Sequence, residues 1–410
     1  MEFRPIFSTL LRNKTGALLI ALQVAISLAI LVNALYIVNM RLAVAARPSG
    51  AADESTLFSV YTAPLKKLSH AEQMAQQDLL RNTLKGVPGV RSVAFTNQMP
   101  MSRSGSNSGV AVDRKQARTT AQASNYFTPD SVIQTMGLKL AQGRDFMPSE
   151  IDEIDPTTSD SDGHSVIISQ ALAQMLFPGA ASVVGKPIFL GTGDDASELH
   201  IVGVVERLQS TGAQSTPEGE YSMIRGTRES FGPAMYVVRT APGELDRVMR
   251  DAEAALQRAS PTPITIITKS MAQDRDARYR NDRGLAWMLV TVCVLLLLVT
   301  ASGIVGMTTL WVSQRRKQIG VRRALGGRRL DIMRYFITEN LVISSVGVTL
   351  GLMLALGLNQ LLVSQLELPR LPVGYMLGGV GIFWALGLVA VYGPSWRAAS
   401  ISPAIATRSA

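Results

Sequence analysis

Four stretches of the chain contain no Asp, Glu, Lys, Arg or His: Thr15–Met40, Gly284–Gln314, Asn340–Leu366 and Leu371–Trp396. Each exceeds the ~20 apolar residues that cross a hydrocarbon core as a helix. A bilayer offers no water to unpaired backbone amides, so each stretch is predicted to be a helix that satisfies its own N–H and C=O groups. The second has an almost unbroken apolar core from Trp287 to Thr300. The fourth carries five glycines between Gly374 and Gly387, and Pro394 is predicted to end it. The first run, followed by Ala43-Val44-Ala45, also has the outline of a cleaved signal peptide. Its 26 residues outrun a signal core of roughly 7–15, which favours a retained anchor.

Charge sets the expected topology. The chain carries a net +9. Residues 1–14 hold Arg4, Arg12 and Lys14 against Glu2. Residues 315–339 hold eight basic groups against Asp331 and Glu339, and the tail after Trp396 adds Arg397 and Arg408. Residues 41–283 are nearly neutral, with 26 basic and 27 acidic side chains. The excess therefore lies beside the apolar runs, which is the pattern of a topology signal and argues against nucleic-acid binding. Arg12, Lys14, Arg315, Arg316, Lys317 and Arg397 are read as membrane anchors on the cytoplasmic side. The expected layout is a cytoplasmic N-terminus (1–14), a first span (15–40), an outside domain (41–283) and a second span (284–314). A cytoplasmic loop (315–339), a third span (340–366), a short outside turn (367–370), a fourth span (371–396) and a cytoplasmic tail (397–410) follow. The fold class is thus an α-helical membrane protein of four transmembrane helices with a large α+β extracytoplasmic domain between the first and second.

The outside region reads as strand, helix, strand at its start. Leu57–Tyr61 is a strand. Ser69–Lys85 is an amphipathic helix with Ser69 as N-cap and Glu72 at capping-box spacing, and Leu79, Leu80 and Leu84 on its buried side. Val90–Phe95 alternates as a strand. Further strands are predicted at Ser165–Ile168, Pro187–Leu190, His200–Val205, Met235–Arg239 and Ile264–Thr268, and helices at Gln170–Phe177 and Pro242–Arg258. Met99–Gly109, Ser149–Asp162 and Gln209–Gly232 read as loops. Residues 110–230 are expected to form an inserted second lobe. Met271–Arg283 is expected to run into the second span as a helical stalk.

Catalytic and metal-binding patterns fail on inspection. The histidines His70, His164 and His200 lack ligand spacing. Gly179–Pro187 has five residues between its glycines, where a phosphate loop has four, and Pro187 where Ser or Thr is needed. Asp152, Asp155, Asp160 and Asp162 read as a solvated acidic loop or, less simply, a calcium loop without its closing Glu. The single cysteine, Cys293, excludes an internal disulfide. No catalytic residue, metal site or directly bound cofactor is assigned.

Gln314–Asn340 (QRRKQIGVRRALGGRRLDIMRYFITEN) remains. Arg315-Arg316-Lys317 fits an ordinary stop-transfer cluster beside anionic headgroups. The cluster does not account for IGVRRALGG. Ile319, Arg322, Arg323 and Leu325 predict a short helix, ended by Gly326-Gly327. Asp331 falls in the first turn of the next helix, where negative charge is favoured.

This segment resembles the R-x-x-E-I-G-[IV]-R-[RK]-A-L-G-A stretch of FtsX-like ABC permeases. Val87-Pro88-Gly89-Val90, Tyr126-Phe127, Met136-Gly137, Gly143–Phe146, Ile167–Ala173, Gly185-Lys186 and Val202–Val205 are similar to the periplasmic core domain of MacB-type permeases. Pro394–Ala399 with Ser402-Pro403-Ala404 resembles the family's closing segment. The resemblance implies a multi-pass protein of the bacterial inner membrane. It acts as a homodimer or beside a paralogous permease, with a cytoplasmic ABC ATPase and sometimes a periplasmic adaptor and an outer-membrane channel. ATP and Mg²⁺ would belong to the ATPase, which is expected on a separate chain because 14 residues precede the first span. Gln318, Ile319, Gly320, Arg322, Arg323, Ala324, Leu325 and Gly326 would form the coupling helix. The implied function is mechanotransmission driving export or efflux; the alternative is a non-transporting mechanotransmitter that regulates a periplasmic partner. Gln318 stands where the family usually has Glu, and Ser402 where Asp is common.

Overall fold

The computed structural model describes residues 14–155, 162–230, 232–366 and 370–400. The chain forms two compact units, a helical one (Met1–Ala43 with Asp282–Ala410) and an α+β one (Val44–Asn281). The expectations placed on Arg4, Arg12, Glu2, Asp160, residues 367–369, Ser402 and Arg408 lie outside the described residues.

The helical unit contains four helices long and apolar enough to cross a membrane. They are α1 (Lys14–Ala45), the span portion of Met271–Gln314, Arg329–Leu366, and Val373–Ala399. Their shared core includes Leu28, Val32, Ile304, Ile343, Phe383 and Val391. In lipid, helices associate by close packing more than by hydrophobic expulsion, so small residues mark the contacts. A Cβ added at Gly347 would come within 2.7 Å of the Ala21 carbonyl, and one at Gly351 within 2.9 Å of the Ala25 carbonyl. Asn33 Nδ2 donates to the carbonyls of Ala29 (2.9 Å) and Ala355 (3.2 Å), pinning the same pair of helices. Gly351→Leu is therefore expected to destabilise the helical unit by about 1–3 kcal/mol through overpacking. A lowered unfolding midpoint of the detergent-solubilised chain checks this.

Pro394 does not end the last span as the sequence predicts. It lies inside the helix, which continues to Ala399. The residue before it is Gly393, and glycine lacks the Cβ that makes the pre-proline position clash with helical geometry. Inside a membrane bundle, neighbouring groups also take up the freed carbonyl.

In the α+β unit, β1 (Leu57–Pro64), α2 (His70–Lys85) and β2 (Val90–Thr96) come first. Ser69 and Glu72 form the reciprocal capping box. Met74, Gln77, Leu80 and Leu84 face the core, whereas Leu79 is exposed, because 77, 80 and 84 share one helical face and 79 does not. The chain then runs through β3 (Asn107–Ala111), β4 (Ala121–Phe127), α3 (Val132–Met136), β5 (Leu140–Gly143), β6 (Asp152–Ile154), β7 (Ser165–Ser169) and α4 (Gln170–Leu176). It continues with β8 (Pro187–Leu190), β9 (Ser197–Val205), β10 (Ser222–Arg225), β11 (Thr227–Glu229), β12 (Ala234–Thr240), α5 (Leu245–Ala259) and β13 (Ile264–Ser270). The last helix of the series, α6 (Met271–Gln314), is unbroken from the end of β13 to the end of the second span.

Two sheets organise these strands. The first is antiparallel, in the order β13-β1-β12-β2. Leu80 and Leu84 of α2 and Val248, Ala252 and Leu256 of α5 cover one face of it, packed on Phe58, Val60, Tyr236 and Val238. The second has the order β5-β9-β7-β10-β4-β3-β8, and a β8–β9 pairing closes six of its strands into a ring. Val110, Ala123, Val166, Ile168, Leu199 and Met223 are buried there. Three segments read as loops contain strands: β3 begins inside 99–109, β6 lies in 149–162, and β10 and β11 lie in 209–232. The acidic stretch is anchored by Arg144, whose guanidinium donates to both Glu150 oxygens at 2.7 Å. That hydrogen bonding holds the Glu150 carboxyl down to about 2.

Candidate functional site

The segment between the second and third spans folds as one short helix fixed at both ends. The helix α7 covers Arg316–Ala324, and α8 (Arg329–Leu366) follows. At its start the backbone barely breaks from α6. The Arg315 amide donates to the Trp311 carbonyl (3.1 Å), and the Ile319 amide donates to the Arg315 carbonyl (3.0 Å). At its end Gly326 takes φ +93°, and the Gly327 amide donates to the Arg322 carbonyl at 3.0 Å, the six-to-one bond of a Schellman cap. Only glycine adopts that φ without strain, so the Gly-Gly pair reverses the chain here. Asp331 Oδ2 then accepts from the Arg328 amide (3.2 Å), capping the first turn of α8.

Side chains lock the turn further. Arg315 donates to both carboxylate oxygens of Glu339, at 2.9 and 3.1 Å, and to the Tyr335 hydroxyl at 3.3 Å. Glu339 is 1 % exposed and the Arg315 side chain is largely buried. The Arg315 guanidinium, which its place in a stop-transfer cluster assigns to the headgroups, sits on Glu339 instead, a residue that in the sequence counts only as a charge. Ile319, Ile332 and Phe336 are buried around a small pocket of about 40 Å³, which Gln318 and Arg322 also line. Arg322 stacks over the Tyr335 ring at 5.6 Å. Gly320 is buried.

The rest of the helix surface is open. Gln318, Val321, Arg322, Ala324, Leu325 and Gly326 are exposed, as are Arg316 and Lys317. Leu325 is 83 % exposed, the most of any large apolar side chain among the described residues. Arg323 lies in α7 between them, Lys14 opens α1, and Arg397 is exposed in the final turn of α9 (Val373–Ala399). The site thus combines a rigid, internally paired back with a basic front that carries one protruding leucine. Among the described residues no group of three or more His, Cys, Asp or Glu is placed to hold a metal ion. Asp152 pairs with His164, and Asp162 accepts from Ser197 Oγ.

The MacB-like periplasmic core domain matches residues 17–255, and the FtsX-like permease C-terminal family matches residues 290–403. The chain belongs to the MacB-type, FtsX-like permeases. Among curated relatives it is 28 % identical over 286 residues to the macrolide export ATP-binding/permease protein MacB of Nitrosomonas europaea, covering 66 % of this chain and 40 % of that protein. It is 27 % identical over 305 residues to MacB of Agrobacterium fabrum, covering 72 % of this chain and 44 % of the relative. The chain therefore spans about two-fifths of the length of these relatives. Among solved structures, the extracellular domain of the ABC-type transporter YknZ from Gram-positive bacteria aligns over 51 % of this chain and 99 % of that one, at TM-score 0.31 and 15 % identity. As a MacB-type permease the chain is a multi-pass inner-membrane protein with an α+β domain between its first two spans. The FtsX-like match includes α7 and the ends that hold it.

Proposed function

We propose that this permease passes the motion of a cytoplasmic ABC ATPase, carried on a separate chain, to its periplasmic domain, and so drives export. The observation that carries this reading is α7, fixed at its back by Arg315–Glu339 and Ile319 and open at its front through Leu325. A helix braced at both ends moves its neighbours when pushed; a floppy loop absorbs the push. The names of the curated relatives pair ATP binding with a permease and, in those proteins, with macrolide export. ATP and Mg²⁺ would be held by the ATPase. The flanking positive charge supports placing α7, both termini and Arg397 in the cytoplasm and residues 41–283 in the periplasm. The permease would work as a homodimer or with a paralogue, and its periplasmic domain would engage an adaptor leading to an outer-membrane channel.

A second reading keeps the same coupling but moves no solute. It is supported by the four spans, which lack charged side chains and bury an apolar core. Purification of the tagged full chain from its native membrane distinguishes these readings. An ABC ATPase recovered with it, together with ATP-dependent efflux lost on deleting the chain, is expected. Recovery of an ATPase with a periplasmic enzyme and unchanged efflux would favour the second reading, and recovery of no ATPase would contradict both.

A further inference from the structure

The turn between the second and third spans carries an apolar strip as well as positive charge. In α7 Ile319 is buried, and Val321, two positions on, is 51 % exposed; in α8 Ile332 is buried, and Leu330, two positions before it, is 55 % exposed. Two positions are roughly 200° of helix, so each exposed residue lies on the side of its helix away from the buried isoleucine. Leu325 follows Val321 by four residues and shares its face. Val321, Leu325 and Leu330 thus flank the Gly326-Gly327 reversal, and none of them belongs to the core that holds Ile319 and Ile332. The same stretch holds Arg316, Lys317, Arg328, Arg329 and Arg334, all exposed. None of these five side chains makes a hydrogen bond or ion pair among the described residues. Of the two acids in the stretch, Glu339 is buried on Arg315, and Asp331 caps the first turn of α8 through the Arg328 amide. α7 itself contains no acidic residue, and the exposed Gln318 is neutral.

We infer that the ATPase surface receiving this turn is an apolar socket for Val321, Leu325 and Leu330 with an acidic rim, and that Gln318 is a position where a carboxylate would repel that partner. The inference rests on the proposed coupling to an ATPase and specifies the chemistry of the partner's face. An apolar centre supplies contact area, while charges at the rim steer approach and reject partners of like sign. A basic rim would be pushed away by the five cations; an acidic one answers them. Anionic headgroups also attract such cations, and they account for charge at the ends of the spans. They do not account for Val321 and Leu330, which lie on the sides of their helices turned away from the packed bundle.

The test uses the full chain in nanodiscs of phosphatidylcholine alone, with the ABC ATPase recovered with it from the native membrane. The association rate is read at about 50 mM and about 500 mM NaCl, across which the screening length falls about threefold. For the wild type a drop of at least about tenfold is expected. Arg328→Glu/Arg329→Glu is expected to slow association at low salt by a similar factor and to flatten the salt dependence, and Gln318→Glu to slow it about threefold. These three side chains are exposed and have no partner among the described residues, so the unfolding midpoints are expected to stay where they were. A rate that ignores salt, or one left unchanged by the charge reversal and by Gln318→Glu, would overturn the inference while the coupling to an ATPase stands. Association seen only after phosphatidylglycerol is added would assign the cations to lipid and overturn it as well. Recovery of no ATPase would remove the proposed function and this inference together.

Discussion

Arg315→Ala is expected to destabilise the helical unit by about 3–5 kcal/mol, because it strands the Glu339 carboxylate in a site with 1 % exposure. The pair itself is not the source of that figure. Two charges removed from solvent gain little net free energy when paired, but a single buried charge without its partner is costly. The double variant Arg315→Leu/Glu339→Leu is therefore expected to recover most of the lost stability, and a double-mutant cycle isolates the coupling. Arg315→Lys is expected to fall between, since an ammonium cannot reproduce the two parallel hydrogen bonds at 2.9 and 3.1 Å. Unfolding midpoints of the three purified variants and the wild type check the order. Equal stability of Arg315→Ala and wild type would show that the turn is not braced by this pair.

Leu325→Asp is expected to weaken association with the ATPase by roughly 30-fold or more, the scale of an interface hot spot worth at least about 2 kcal/mol, without changing the fold. Leu325 contributes almost nothing to the chain's own core at 83 % exposure, so its substitution leaves the unfolding midpoint where it was. Leu65 provides the control. It is 72 % exposed on the α+β unit, and Leu65→Asp is expected to leave ATPase association intact. Loss of association in both variants, or in neither, would remove Leu325 from the docking face. Arg322→Ala is expected to have a smaller effect, because the guanidinium is partly satisfied by the Tyr335 ring.

Features set by local chemistry were legible in the sequence. The Ser69–Glu72 capping box, the Gly326-Gly327 stop and the four uncharged runs each depend on residues close together in the chain. What escaped depends on distant partners. β10 lies in a segment that reads as loop, and β4 and β10 contain the polar residues Ser124, Asn125 and Arg225. They are buried because Gln98, Ser108 and Glu229 answer their hydrogen bonds across the fold. The Arg315–Glu339 pair joins residues 24 positions apart across a helical reversal. Nothing in that spacing connects the two charges in the sequence. Pro394 misled for the opposite reason: its local signal is strong, but the helix is continued around it.

In the proposed function, α7 is the contact through which an ATPase drives this permease. A photo-crosslinking amino acid placed at Leu325 in the full chain, activated in cells that also express an ABC ATPase, tests this most directly. Covalent capture of the ATPase from Leu325, with none from the equally apolar, membrane-span position Leu377 (68 % exposed), is the result expected. Capture from neither position, with Leu325 fully accessible to the crosslinker, would contradict it.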